Sequence, residues 1–233
     1  MNNEGISLPH PRSLLRYHPS AFLLAAQLLS LLLYAFNDVI PGGNALLGAL
    51  GVLVLMLAVW VISRGAVARW VLWALAVPAF ALSSLTAFSD DPRLIVWSAL
   101  VDATLYFCAA GSLIAYMMED HRVTTDELFA AGATFTLIAW GFAYLYLVCQ
   151  IGWPGSFVGA TQPEAPRSFL ELLFLSFTTL SSTGLGDVLP ISPMARVLVM
   201  LEQFAGIAYI AVVVSRLIGM TIVHHRQAGA GDK

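Results

Sequence analysis

The sequence predicts an all-α membrane protein of six transmembrane helices, with a short re-entrant helix and a glycine-bearing loop between the fifth and the sixth. Three observations carry this. Of 233 residues, 59% are hydrophobic and 11% charged, and the mean hydropathy is +0.81, whereas a soluble domain carries about 25% charged residues. Six apolar runs have about the length a bilayer requires, roughly 17–25 residues. Between the last two lies SFTTLSSTGLGDVLP, residues 176–190, where hydroxyl residues, two glycines and an aspartate interrupt apolar sequence.

The first run is Ser20–Phe36, ending at NDVIPGGN, and Asn44–Ser63 and Ala66–Phe88 follow, separated by Arg64. At 17 residues the first run has the length of a signal sequence, but no small-x-small cleavage site follows it, which favours a retained helix. The fourth run, Arg93–Met118, is closed by EDHR, and the fifth, Glu127–Ile151, starts at capping-box spacing between Thr124 and Glu127. The sixth is Arg196–Met220. Ser168 and Glu171 repeat the capping-box spacing, so a helix of about three turns is expected from near Ser168 to Leu180. At 1.5 Å per residue it covers roughly 20 Å, too little to cross. It must enter and turn back.

The basic residues set the orientation. With a cytoplasmic N-terminus, Arg12, Arg16, Arg64, Arg69, Arg122, Arg216, Arg226 and Lys233 lie inside, and only Arg93, Arg167 and Arg196 outside. This obeys the positive-inside rule and makes both termini cytoplasmic in a multi-pass protein of the plasma (inner) membrane. The division expected is a tail (1–19), a four-helix membrane domain (20–122), a fifth-to-sixth-helix domain (123–222) and a second tail (223–233). Net charge −3 gives no basic signature for nucleic acid. Cys108 and Cys149 sit inside apolar runs and read as small hydrophobes without a disulfide.

Non-helical backbone facing lipid costs several kcal/mol per unpaired group, so it persists at membrane depth only inside protein or along a watery path. Gly184 and Gly186 admit backbone angles closed to other residues. Alternating left- and right-handed residues turn successive carbonyls to one side, and such a column can replace the water shell of a monovalent cation. The carbonyl end of the short helix adds partial negative charge beside it.

At these residues the chain resembles the pore-loop family of tetrameric potassium channels, whose filter reads T-V-G-Y-G-D. FTTLSSTGLGDVLP is similar to that family's run of pore helix, filter and extracellular proline, and HRVTTDELF to PGSF is similar to the outer pore helix of bacterial members. The resemblance spans roughly Thr124–Met220. It implies that the carbonyls of Ser182, Thr183, Gly184, Leu185 and Gly186 line the ion path, with K+ held at Ser182, Thr183, Gly184 and Leu185 and the Ser182 hydroxyl as innermost ligand. Asp187 would brace the filter from the outer mouth. Gly206 stands where the family often has a hinge glycine; close packing is the equal alternative. A carbonyl ring cannot come from one loop, so geometry and resemblance both imply a homotetramer: three identical chains as partners, besides the bilayer and monovalent cations.

Two departures stand out. Leu185 replaces the family's tyrosine and Thr183 its valine, and Phe174 and Leu175, facing position 185, cannot accept a tyrosine hydroxyl. The expectation is a more loosely held filter, with bound K+ or Na+ and relaxed discrimination between them, and no other cofactor. The fourth run carries only Arg93, at its outer edge. Steep voltage dependence needs about three or four charges per subunit, so no arginine-ladder sensor is expected. Asp102, deep in that run, reads as hydrogen-bonded to a neighbour such as Tyr106, or alternatively as an ion or proton site. Glu202 lies at filter depth, bracing Thr178 or Ser181, or else facing the cavity. His224 and His225 read as a solvated tail, with a pH sensor as the alternative, and the six tryptophans as mostly interfacial.

These features favour a cation channel. A secondary transporter would show paired broken helices, and this chain has one interrupted region. A non-conducting accessory subunit is the further alternative, and no enzyme motif occurs in a fitting setting.

Overall fold

The computed structural model describes residues 19–34, 91–119 and 124–215, with helical residues at 54, 77–82, 85–86 and 218. Most of the second and third runs, with Trp60, Trp70 and Trp73, lies outside the described residues, as do Asp90, His224, His225 and the tail 223–233. The elements are α1 (Pro19–Tyr34), α2 (Pro92–Glu119), α3 (Thr125–Gly152), β1 (Phe157–Gly159), α4 (Phe169–Leu180), β2 (Val188–Pro190) and α5 (Pro193–Tyr209), which continues as a π-helical turn at Ile210–Val214. Three helices are long and apolar enough to cross a membrane: Pro92–Glu119, Thr125–Gly152 and Pro193–Val213. Of the shorter ones, α4 has 12 residues, about 18 Å at 1.5 Å per residue, and cannot span.

α3 is the central post, with α1, α2, α4 and α5 all packed on it. Helices α2 and α3 are both rich in buried small residues, among them Ala99, Ala103, Ala109 and Ala110 of α2 and Ala133, Ala139 and Ala143 of α3, and Phe107 of α2 packs directly on Gly141 of α3. Small side chains let membrane helices approach closely, where dispersion contacts supply the attraction that water would supply in a soluble protein. α1 is pinned to α3 at two polar points. The Ser20 amide and hydroxyl donate to the two Asp126 carboxylate oxygens, both at 3.0 Å. About two turns on, the Thr136 hydroxyl donates to Gln27 at 2.6 Å, and Gln27 donates to the Ala133 carbonyl at 3.3 Å. Buried polar groups of this kind need partners in hydrocarbon, so these contacts fix the register of α1.

An aromatic series carries the packing toward α4. Trp140 lies against Tyr106, Tyr106 stacks on Tyr144, and Tyr144 and Tyr34 both flank Phe169, the first residue of α4. Trp140 is therefore not interfacial: it sits mid-helix and is buried. Trp97 and Trp153, exposed near helix ends, do fit an interfacial belt.

The helix starts follow their capping residues. Thr124 accepts the Glu127 amide at 3.3 Å. Ser168 and Glu171 complete the reciprocal capping box. α5 begins three residues before Arg196, because Ser192 caps the Ala195 amide and Pro193 occupies the first turn, where a missing N–H costs nothing.

Candidate functional site

The site is the segment 181–187, between α4 and α5. The last turn of α4 sets its inner end. The Phe177 carbonyl accepts the Ser181 amide at 3.1 Å, the Thr179 carbonyl the Ser182 amide at 3.0 Å, and the Thr178 carbonyl both Thr183 and Gly184 amides at 2.9 and 3.1 Å. The Thr183 hydroxyl also reaches the Thr178 carbonyl, at 3.1 Å, and pairs with the Ser181 hydroxyl at 2.6 Å. The threonines and serines of the opening motif thus wind the chain back onto the carbonyls a helix end leaves free. Thr178 contributes through its main chain; its hydroxyl donates inside α4, to Leu175.

Ser182 and Gly184 have φ of 59° and 67°, left-handed conformations two residues apart. For glycine this is free; for serine it costs about 1–2 kcal/mol and persists because the surrounding bonds over-determine it. The alternation ends there: Gly186 does not have positive φ. Ser182, Thr183, Gly184, Leu185, Gly186 and Asp187 are all exposed.

The outer end is held from a distance. β1 and β2 form an antiparallel pair with Phe157 opposite Pro190 and Gly159 opposite Val188. The Ala160 amide donates to the Asp187 carbonyl at 2.9 Å, and the Ile191 amide to the Ser156 carbonyl at 2.8 Å. Asp187 is therefore anchored within the chain by its main chain, with its side chain exposed.

Glu202 is fully buried, and its partners differ from those expected: it is hydrogen-bonded to the Tyr146 hydroxyl and the Ser176 hydroxyl, not to Thr178 or Ser181. The crossing of α4 and α5 explains the difference. Gly206 meets the chain at Leu180, where a Cβ would overlap the carbonyl oxygen and lie 3.0 Å from the carbonyl carbon. The two helices run in the same direction, so four residues back on each brings Glu202 beside Ser176. The Ser176 hydroxyl is also 2.7 Å from the Ala139 carbonyl, joining α3, α4 and α5 at one polar point. Gly206 itself is a close-packing contact inside regular helix; the departure from α geometry comes later, at Ile210–Val214. Among the described residues, Asp102 Oδ1 has no hydrogen-bond partner; the hydrogen bond to its carboxyl group is from Ser98, and Tyr106 lies within range of its charge.

One organising residue escaped the sequence reading, which counted Arg167 only as an outer-side charge. Its side chain is 2% exposed and ion-paired to Glu171 at 3.0 Å. The i,i+4 spacing of Arg167 and Glu171 at the start of an otherwise apolar helix was the available signal.

The ion channel family matches residues 103–222, just over half of the chain, so the match also takes in the second half of α2. Protein LctB of Bacillus caldotenax is 33% identical over 103 residues, which are 42% of this chain and 75% of that protein. Protein LctB of Geobacillus stearothermophilus is 30% identical over 122 residues, 51% of this chain and 90% of that protein. No solved structure matches. A 12-residue half-helix, a loop wound onto its carbonyl end and two flanking membrane-length helices thus fall inside the matched segment, and the chain belongs to the pore-loop ion channel family.

Proposed function

We propose that four copies of the chain assemble around an axis in a bacterial plasma membrane and conduct K+ down its gradient through Ser182, Thr183, Gly184, Leu185 and Gly186. The observation that carries this reading is the left-handed backbone at Ser182 and Gly184, in an exposed run at the C-terminal end of a helix too short to cross. Alternation of hand turns neighbouring carbonyls toward one side, and one such loop covers one side of an ion; the remaining ligands must come from other chains. The unpartnered face of α5 supports assembly: Met194, Val197, Met200, Leu201, Phe204 and Ile207 are exposed, Phe204 by 73%. Such a stripe is covered by lipid or by another chain.

On this reading the chain crosses six times with both termini cytoplasmic, 123–222 forms the pore and 20–122 flanks it. Thr178, Asp187 and Glu202 support the filter, and Gly206 is where α5 pivots on Leu180. With Leu185 in place of the family's tyrosine, K+/Na+ discrimination is relaxed. Gating does not use an arginine ladder, since α2 carries Arg93 alone.

Recordings from purified protein in planar bilayers under K+ and Na+ gradients test this. Unitary picoampere currents that favour K+ are expected. Slow saturable flux without unitary steps would replace the channel by a transporter, and no flux at all would make the chain an accessory subunit. A strong, stable K+ preference would end the relaxed-filter idea alone.

A further inference from the structure

We infer that Arg167 is a positioning residue for the outer end of the filter, doing through the main chain what a tyrosine at 185 would do through a side chain; this rests on the channel reading above. Leu185 is 56% exposed, so its side chain is not anchored within the subunit. What holds the neighbouring Asp187 is the Ala160 amide, and Ala160 sits between β1, paired to β2, and the loop 160–167.

That loop is built around one guanidinium. Arg167 Nε donates to the Ala165 carbonyl at 3.2 Å. Nη1 donates to the Thr161 carbonyl at 3.1 Å and to Glu171 Oε1 at 3.0 Å. Nη2 donates to the Gln162 carbonyl at 2.6 Å and to the Ala165 carbonyl. A guanidinium has five N–H donors in a fixed plane, and here every one is used. Gln162, at φ 52°, is left-handed without being glycine, a conformation its bonds to Arg167 and to the Ala165 amide sustain. The Arg167 main chain is clamped in turn: its amide donates to Gln150 Oε1 at 2.7 Å and its carbonyl accepts from Gln150 Nε2 at 3.0 Å. Gly159 leaves the space, since a Cβ there would fall on Nη1 and within 2.8 Å of Cζ.

The result is a closed frame. It runs from the start of α4 through Glu171 and Arg167 to Thr161 and Ala160, then across to Asp187 at the loop's exit. Lysine cannot replace the arginine, because three donors at a point cannot serve carbonyls spread around a plane.

The test uses the full chain in lipid nanodiscs and bilayers, as wild type and as Arg167→Lys, Arg167→Gln, Gly159→Ala and Glu171→Gln, each retained only if it assembles like wild type. Amide exchange at Ala160 reads the frame without reference to conduction. It should accelerate at least about tenfold in Arg167→Lys, Arg167→Gln and Gly159→Ala, and less in Glu171→Gln, which keeps the capping box. The K+/Na+ reversal potential should move toward zero in the same order. Gly159→Ala leaves the arginine in the sequence but displaces it, so the double variant with Arg167→Gln should be no worse than either single one. Unchanged exchange at Ala160 and unchanged reversal potentials in assembled variants would overturn the inference while leaving a conducting wild type intact. Faster exchange with no wild-type current would instead keep the frame and remove the channel reading. Additive losses in the double variant would also overturn the inference.

Discussion

The two ends of the loop between α4 and α5 are held by different means. The inner end, Ser181–Gly184, is tied to carbonyls no more than six residues away, chiefly that of Thr178. The outer end, Asp187–Pro190, is tied to residues 156–160, on a segment that Arg167 and Gln150 fold into place. Between them Leu185 and Gly186 have neither kind of support. On the channel reading proposed above, the filter then has a stiff inner half set by local sequence and an outer half only as rigid as the loop outside it. The two halves should therefore fail separately.

The largest effect is expected at the inner end. Gly206→Ala places a methyl on the Leu180 carbonyl, which cannot yield as a side-chain tip would. Overpacking of this kind costs about 1–3 kcal/mol, and here it pushes α5 off the end of α4. Loss of K+ current together with a lower midpoint in thermal dissociation of the assembly is the expected outcome.

Glu202 comes next. Glu202→Ala leaves the buried Tyr146 hydroxyl without its acceptor, at about 1–3 kcal/mol for the unsatisfied group, while Ser176 keeps the Ala139 carbonyl. Glutamine can accept from Tyr146 and donate to Ser176, whose own hydrogen then stays on the Ala139 carbonyl. Thermal stability should fall in Glu202→Ala and be largely kept in Glu202→Gln. Equal losses would mean that charge, rather than the bonding pattern, holds α4 to α5.

The middle of the loop gives a smaller effect. Leu185→Tyr supplies the family's hydroxyl, but Phe174 and Leu175 offer it no acceptor, so the reversal potential should shift little. A large gain in K+ preference would mean that a neighbouring subunit provides the partner. Smallest of all is Arg93→Gln, at the exposed edge of α2, which should leave the slope of conductance against voltage unchanged.

The same division decides how much of the site was legible in the sequence. Capping residues, hydroxyls and glycines act within a few positions, so Ser168 with Glu171 announces α4, and Ser182 to Gly184 announces its turn. The spans of α2, α3 and α5 follow from length and hydropathy. Glu202 was legible as a brace facing α4, but its partner was not. Choosing Ser176 over Thr178 depends on the crossing point of two helices, which Gly206 fixes at Leu180. Arg167 was legible only as a charge. Three of its acceptors are main-chain carbonyls, and carbonyls are the same at every position of every sequence. Trp140 is a related case: the ring it packs against, Tyr106, lies on another helix.

The central claim is that this loop, in four copies, encloses ions with main-chain oxygens. Anomalous scattering from thallium, soaked into crystals of the assembled protein in place of K+, tests it most directly. The expected result is peaks in single file on a fourfold axis, between the carbonyl layers of Ser182, Thr183, Gly184 and Leu185. Thallium absent from that axis, or copies of Ser181–Asp187 facing outward without meeting, would contradict it.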